Sequence, residues 1–258
     1  MKFKKSRSSG ALVHDHYQSN FVVGPDRRAE LARFVNQTHK GMRHKFKPAH
    51  SSNSEDSLTW SCFDRLKCIS AELRAAALAS LWELTFDDPM PKDFTAGEIE
   101  IGKSFGKRGA DTEVDASIES DSVLLFIEAK LYQPIKMGGG DRSHDQLAHK
   151  IRVGLREAQH LGKAFYLVVL DIAPVESLRT IKPRASLKDA ETITGGGFGN
   201  KWLTAYWFSR YKGGSSVTPL KNVIADIPGA DAKLMARSMG WLTWSDLFKI
   251  VLRASVAL

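Results

Sequence analysis

The chain has only two cysteines in 258 residues, Cys62 and Cys68. They stand six positions apart, whereas side chains along a helix meet at three or four, so no local bridge between them is expected. No CxxC pair or zinc-ligand spacing accompanies them. A disulfide scaffold and a structural zinc site are therefore excluded, and both cysteines read as buried thiols in a reducing compartment. Long apolar runs are also missing. Nothing approaches the roughly 20 residues that cross a bilayer, and the basic opening MKFKKSRSSG has no apolar stretch behind it. Neither a membrane anchor nor a secretory leader is expected, which leaves the cytoplasm as the default location. No internal repeat occurs, which excludes solenoids and propellers. The glycine-rich GGGFGNK at 195–201 lacks the GxxxxGK[ST] spacing of a phosphate-cradling loop and reads as a turn.

What is present is a hydrophobic fraction of 43% and a formal net charge of +8. The length and apolar content suit one sizeable domain with appended segments. The charge favours an anionic partner, nucleic acid first. Residues 1–51 form a basic N-terminal segment. Within it, Arg27 to Thr38 reads as a short helix. The stretch KGMRHKFKPAH carries Lys40, Arg43, Lys45 and Lys47 with Phe46 interleaved, a pattern that suits phosphate contact plus base stacking. A solvated linker ending at Pro48 is the alternative.

The densest chemistry lies in TEVDASIESDSVLLFIEAKLY, residues 112–132. Period-2 alternation puts Val123, Leu125, Ile127, Ala129 and Leu131 on one side of a strand, and Glu128 and Lys130 on the other with Leu124 and Phe126. In the preceding strand Val114, Ala116 and Ile118 share a side, opposite Glu113, Asp115 and Ser117. A two-residue turn at Ser120-Asp121 sets Asp115 opposite Phe126 and Glu113 opposite Glu128. Asp115, Glu128 and Lys130 then share one face at the sheet edge, the two acids being diagonal neighbours about 7–8 Å apart at the backbone. Carboxylates beside core residues are costly unless compensated. A divalent cation compensates them, since two carboxylates plus water suit Mg2+, with Mn2+ as a substitute. A lysine beside such ligands can hold the attacking water or counter charge on a phosphate.

Asp115 followed by Glu128-Ala129-Lys130 resembles the PD-(D/E)xK nuclease superfamily, with Val114 standing where the name motif has proline. The resemblance implies an α/β, restriction-endonuclease-like core: an α-β-β-β-α-β order with a central mixed sheet flanked by helices. It implies an Mg2+-dependent endonuclease acting on DNA. Asp115 and Glu128 would bind metal, Lys130 would orient or activate water, and double-strand cleavage would imply a homodimer. In this reading the core spans 52–172, and 173–258 is a helical extension packed on it.

The flanking segments fit that order. Ser52-Asn53-Ser54-Glu55 reads as a capping box opening a helix, with Leu58, Cys62, Leu66, Ile69, Leu73, Ala76, Ser80 and Leu84 at helical spacing. The resemblance carries a metal-facing acid onto Glu55, against the alternative that Glu55 only caps the helix; Glu72 is second choice. Gly97 to Ile101 reads as a strand, Asp141 to Leu161 as an amphipathic helix, and Ala164 to Leu170 as a buried strand. Gln146 in that helix is where some relatives support the metal-bound water, and Lys150, one turn on, suits a backbone phosphate. The C-terminal DAKLMARSMGWLTWSDLFKIVLR reads as two helices broken near Gly240, with Trp241 and Trp244 on the core. Two rival functions share these residues: a nucleic-acid-binding module of the same fold that does not cut, and a metal-dependent phosphohydrolase acting on small substrates.

Overall fold

The structure is a computed structural model that describes residues 3–6, 10–38, 43–107, 111–131, 146–171 and 220–256. It is a mixed α/β fold. Strands β1 (Phe3–Lys5) and β2 (Leu12–His14) form a small N-terminal ribbon, followed by α1 (Arg28–Val35) and the single turn α2 (Phe46–Ala49). Two consecutive helices, α3 (Glu55–Cys68) and α4 (Ala71–Thr85), precede the main sheet. The sheet strands are β3 (Glu98–Ile101), β6 (Ala116–Glu119), β7 (Val123–Ala129), β8 (Ala164–Asp171) and β9 (Met239–Thr243), in that spatial order. A side ladder joins β4 (Ser104–Phe105) to β5 (Thr112–Glu113). Helix α5 (Gln146–Leu161) links β7 to β8. Short helices α6 (Leu220–Val223) and α7 (Ala232–Arg237) precede β9, and α8 (Trp244–Val256) follows it.

The sheet is mixed because its connections differ in length. A two-residue turn makes β6 and β7 antiparallel and the out-and-back β4–β5 ribbon returns the chain antiparallel from β3 to β6, whereas a helical crossover makes β7 and β8 parallel. β9 adds parallel to β8. Every residue of β7 is buried, as a strand covered on both faces must be. On one face Val123, Leu125, Ile127 and Ala129 pack with Phe63 and Leu66 of α3, Leu78 and Trp82 of α4, and Leu247 of α8. On the other, Leu124 and Phe126 pack with Leu147 and Ile151 of α5, Phe165 and Trp241. Each such side chain stabilises by about 1.5–3 kcal/mol on burial, and this rigid centre holds the charged end of β7. Helix α5 comes close to the sheet at Gly154, where a Cβ would run into the Phe165 ring.

Four expectations need correcting. The apolar spacing from Leu58 to Leu84 runs through two helices. Ile69 turns extended, and the hydroxyl of Ser70 starts α4 by accepting from Leu73 N–H. The cap of α3 is Ser54, accepting from Ser57 N–H, so Ser52 opens no capping box. The segment around Gly240 is strand β9, and all five of its residues are buried. The core sheet therefore draws its last strand from beyond residue 172. Trp241 and Trp244 are buried as expected. Of the two cysteines, both free thiols, only Cys62 is buried; Cys68 is exposed at the end of α3. Among the described residues no helix is long and apolar enough to cross a membrane. The turn read at 195–201 and the first five residues of the helix expected from Asp141, 141–145, lie outside the described residues.

Candidate active site at the end of the central strand

The β6–β7 ladder pairs Ala116 with Ile127, Ser117 with Phe126, Ile118 with Leu125 and Glu119 with Leu124. Ser120 N–H donates to the Val123 carbonyl at 2.9 Å, so the turn is Asp121-Ser122, one position later than expected. Asp93 stabilises it by accepting from the hydroxyls of Ser120 and Ser122 and from Ser122 N–H. Moving the turn by one shifts the register by two residues, which keeps the paired residues Ala116 to Glu119 on their expected faces. Continued past Ala116, this register sets Asp115 opposite Glu128, not opposite Phe126.

The first strand also bends. Gly102 takes φ +65, and at this point the β3–β6 ladder gives way to the β4–β5 ribbon. Val114 consequently leaves the side of Ala116 and Ile118 and joins the cluster of Phe105 and Phe126. Glu113 moves off the main sheet into β5, so it does not stand opposite Glu128. The site itself lies at the C-terminal end of the middle strand, not at the sheet edge.

Glu128 is 1% exposed and Lys130 7%. A carboxylate this buried costs several kcal/mol unless paired. Glu128 is paired twice, with Oε1 2.7 Å from Lys130 Nζ and Oε2 2.7 Å from Lys150 Nζ. Each oxygen thus has one ammonium contact, and a carboxylate oxygen has a further lone pair to offer. Burial alone would raise the Glu128 pKa, but the two lysines outweigh it and hold it at about 2. Burial alone would lower Lys130, but Glu128, Asp115 and Glu55 outweigh it and push it above the ordinary lysine range. Lys130 is thus a fixed cation rather than a base. Its backbone is held on both sides: Lys130 N–H donates to the Leu170 carbonyl at 2.7 Å, and Trp244 Nε1–H donates to the Lys130 carbonyl at 3.0 Å.

Asp115 Oδ2 accepts from Ala129 N–H at 2.7 Å. Burial and the neighbouring Glu128 charge push Asp115 up to about 7, with Lys130 and Lys150 offsetting part of the rise. Glu55 opens α3, and Ser54 does the capping, which leaves the Glu55 carboxylate to reach the site. Its Oε2 accepts from Leu131 N–H, and its Oε1 lies 3.8 Å from Lys130 Nζ. Burial raises the Glu55 pKa, against the lowering effect of Lys130. Glu72 lies exposed in the first turn of α4.

Gln146 opens α5 half-buried, and Lys150 follows one turn later, 3% exposed. Lys150 therefore belongs to the acidic centre, not to an outer phosphate-contacting surface. Arg43 and Lys47 are exposed, whereas Lys45 is 1% exposed and paired with Glu113 Oε1 at 2.5 Å, so its charge is used inside the protein. Lys40 lies outside the described residues. Sequence reasoning missed Asp56, the second residue of α3, whose carboxyl is raised by burial despite Lys45 nearby. Acidic residues at a helix start read simply as dipole partners, so no signal singled it out.

Among the described residues no three histidine, cysteine or acidic side chains are grouped to hold a metal ion. The two acids that come together at the strand end are Asp115, bonded to Ala129 N–H, and Glu128, whose charge bears on it. Two carboxylates, each with lone pairs beyond those its protein contacts use, fit a hard cation that keeps several waters. Compared with protein-family models, curated proteins and solved structures, the chain matches none.

Proposed function

We propose that this chain is an Mg2+-dependent nuclease with a restriction-endonuclease-like core, hydrolysing phosphodiester bonds, most readily those of DNA. The observation that carries the reading is one buried carboxylate, Glu128, in contact with two lysines and facing a second acid, Asp115, whose own pKa is pushed up to about 7. Asp115 and Glu128 are the residues to hold the metal. When bound, Mg2+ supplies Lewis-acid stabilisation of charge at the phosphate.

The chain's own residues would do the rest. Lys130, kept protonated by three acids, offers a fixed positive charge to the scissile phosphate or to the attacking water. Lys150 offers a second. Glu55, held by Leu131 N–H, closes the acidic cluster from α3, directly or through water. Gln146 lies one helical turn from Lys150, within reach of the same water or phosphate. Arg43 and Lys47, exposed in a chain of net charge +8, suit non-specific contact with the nucleic-acid backbone.

The test is incubation of the purified protein with supercoiled plasmid and with a matching RNA, in Mg2+, in Mn2+ and in chelator. The nuclease reading expects metal-dependent nicking or linearisation that Lys130→Ala removes. Gel retardation without cutting would replace it with a binding module. Hydrolysis of small phosphodiesters without cleavage of polymer would replace it with a phosphohydrolase.

A further inference from the structure

We propose that Lys45 and Glu113 form a positioning pair that sets Lys150 against Glu128, a proposal that rests on reading Asp115, Glu128 and Lys130 as the catalytic centre. Lys45 comes from a segment whose neighbours Arg43 and Lys47 are exposed, yet it is among the most deeply buried side chains of the protein. An ammonium gives up water only where its surroundings replace it. Here Glu113 Oε1 stands 2.5 Å from Lys45 Nζ, and the Phe34 ring centroid lies 3.9 Å away, a cation–π contact. Gly102 makes the space, because a Cβ there would collide with Lys45 Nζ. His44 Nε2 lies 3.1 Å from the other oxygen, Glu113 Oε2. Two adjacent residues thus hold both oxygens of one carboxylate.

Glu113 needs that anchor. Its strand, β5, is two residues long, and so short a ladder fixes little by itself. The backbone carbonyl of the same residue accepts a hydrogen bond from Lys150 Nζ, which also lies 2.7 Å from Glu128 Oε2. The contacts therefore run from Lys45 to Glu113, from the Glu113 carbonyl to Lys150, and from Lys150 to Glu128. A lysine side chain carries about 2 kcal/mol of rotamer entropy. A carbonyl held in place selects the rotamers that point at Glu128. Lys45 makes no ion pair with Asp115 or Glu128, so its contacts reach the site by way of Glu113 and Lys150.

The experiment compares wild type, Lys45→Met, Glu113→Gln, Lys150→Met and the Lys45→Met/Lys150→Met double variant. In Mg2+-dependent cleavage, Lys45→Met and Glu113→Gln should each lower kcat about tenfold or more, with KM for DNA little changed. Lys45→Met should add nothing in the Lys150→Met background. Losses that multiply in the double variant, or an unchanged kcat in folded single variants, would overturn the proposal. Should Lys45→Met fail to fold, the isosteric Glu113→Gln carries the same comparison. A second readout does not need activity: the 1H–15N signal of the Lys150 ammonium should shift or broaden in Lys45→Met and in Glu113→Gln. An unmoved signal overturns the coupling even if the wild type cuts DNA. A wild type that does not cut, with a signal that moves, removes the nuclease reading and leaves the coupling intact.

Discussion

Asp115 Oδ2 accepts the backbone N–H of Ala129, the residue between Glu128 and Lys130, at 2.7 Å. One hydrogen bond therefore ties the acid of the first strand to the stretch of β7 that presents the other two charged groups. Their relative placement is set by backbone, which is stiffer than any rotamer. Such preorganisation is what a site that stabilises charge requires.

Lys130→Ala should remove cleavage, by about 100-fold or more, while retaining the fold. Glu128 would still have Lys150, so the buried carboxylate is not stranded. Plasmid nicking rates alongside circular dichroism measure both outcomes. Wild-type rates from Lys130→Ala would mean that another cation serves the phosphate.

The Asp115 carboxyl, pushed up to about 7 against an ordinary value of 3.8, gives the metal-free protein a pH dependence with a definite sign. The folded state binds a proton that the unfolded state releases. The stabilisation is complete below about pH 4 and is lost as pH rises through 7. Asp115→Asn should therefore melt above wild type at pH 8 without metal, by about 2–4 °C for each kcal/mol relieved, and the difference should vanish by pH 4. Mg2+ should raise the wild-type melting temperature at pH 8 and leave Asp115→Asn unmoved. Differential scanning fluorimetry across pH, with and without Mg2+, reads all three.

Glu128 has the opposite sign. Its pKa is held at about 2 against an ordinary 4.5, so its contribution is present above pH 4.5 and is lost as pH falls through 2. Glu128→Gln leaves Lys130 and Lys150 buried without their shared partner. It should lower stability at pH 7 by about 3 kcal/mol, and the gap to wild type should close in acid. Urea unfolding at pH 7, 5 and 3 follows it.

Glu113→Gln and Asp115→Asn separate the two neighbouring acids. Glu113 is engaged with Lys45 and His44 in the side ribbon, whereas Asp115 faces Glu128. Glu113→Gln should keep measurable Mg2+-dependent cleavage, and Asp115→Asn should lose nearly all of it. The reverse order, read from single-turnover rates, would move the metal site to Glu113.

Trp244→Phe deletes the indole donor to the Lys130 carbonyl and keeps the ring in the core. The loss of one buried hydrogen bond should cost about 1–3 kcal/mol. Cleavage should weaken in step, because the strand end carrying Lys130 is loosened. Thermal melts and cleavage rates of the same preparation test the pair of effects.

Local pattern alone determined the elements nearest the site. The alternation in Val123 to Leu131 placed Glu128 and Lys130 on one face, and the apolar run Ala164 to Leu170 specified the neighbouring strand, because the period of side chains along a strand is a property of the chain itself. It also put Asp115 on the face of Glu128: the turn that formed is one residue later than the one expected, and a register shift of two preserves parity. Tertiary structure decided what depends on partners distant in sequence. Met239–Thr243 became a strand because the open edge of β8 offered a ladder to an otherwise ambiguous apolar segment. Lys45, indistinguishable by spacing from exposed Arg43 and Lys47, became buried because Glu113, Phe34 and the notch at Gly102 meet it there. Lys150 joined the acidic centre because α5 crosses back over β7 and brings its amine to a carboxylate that period and spacing alone could not name.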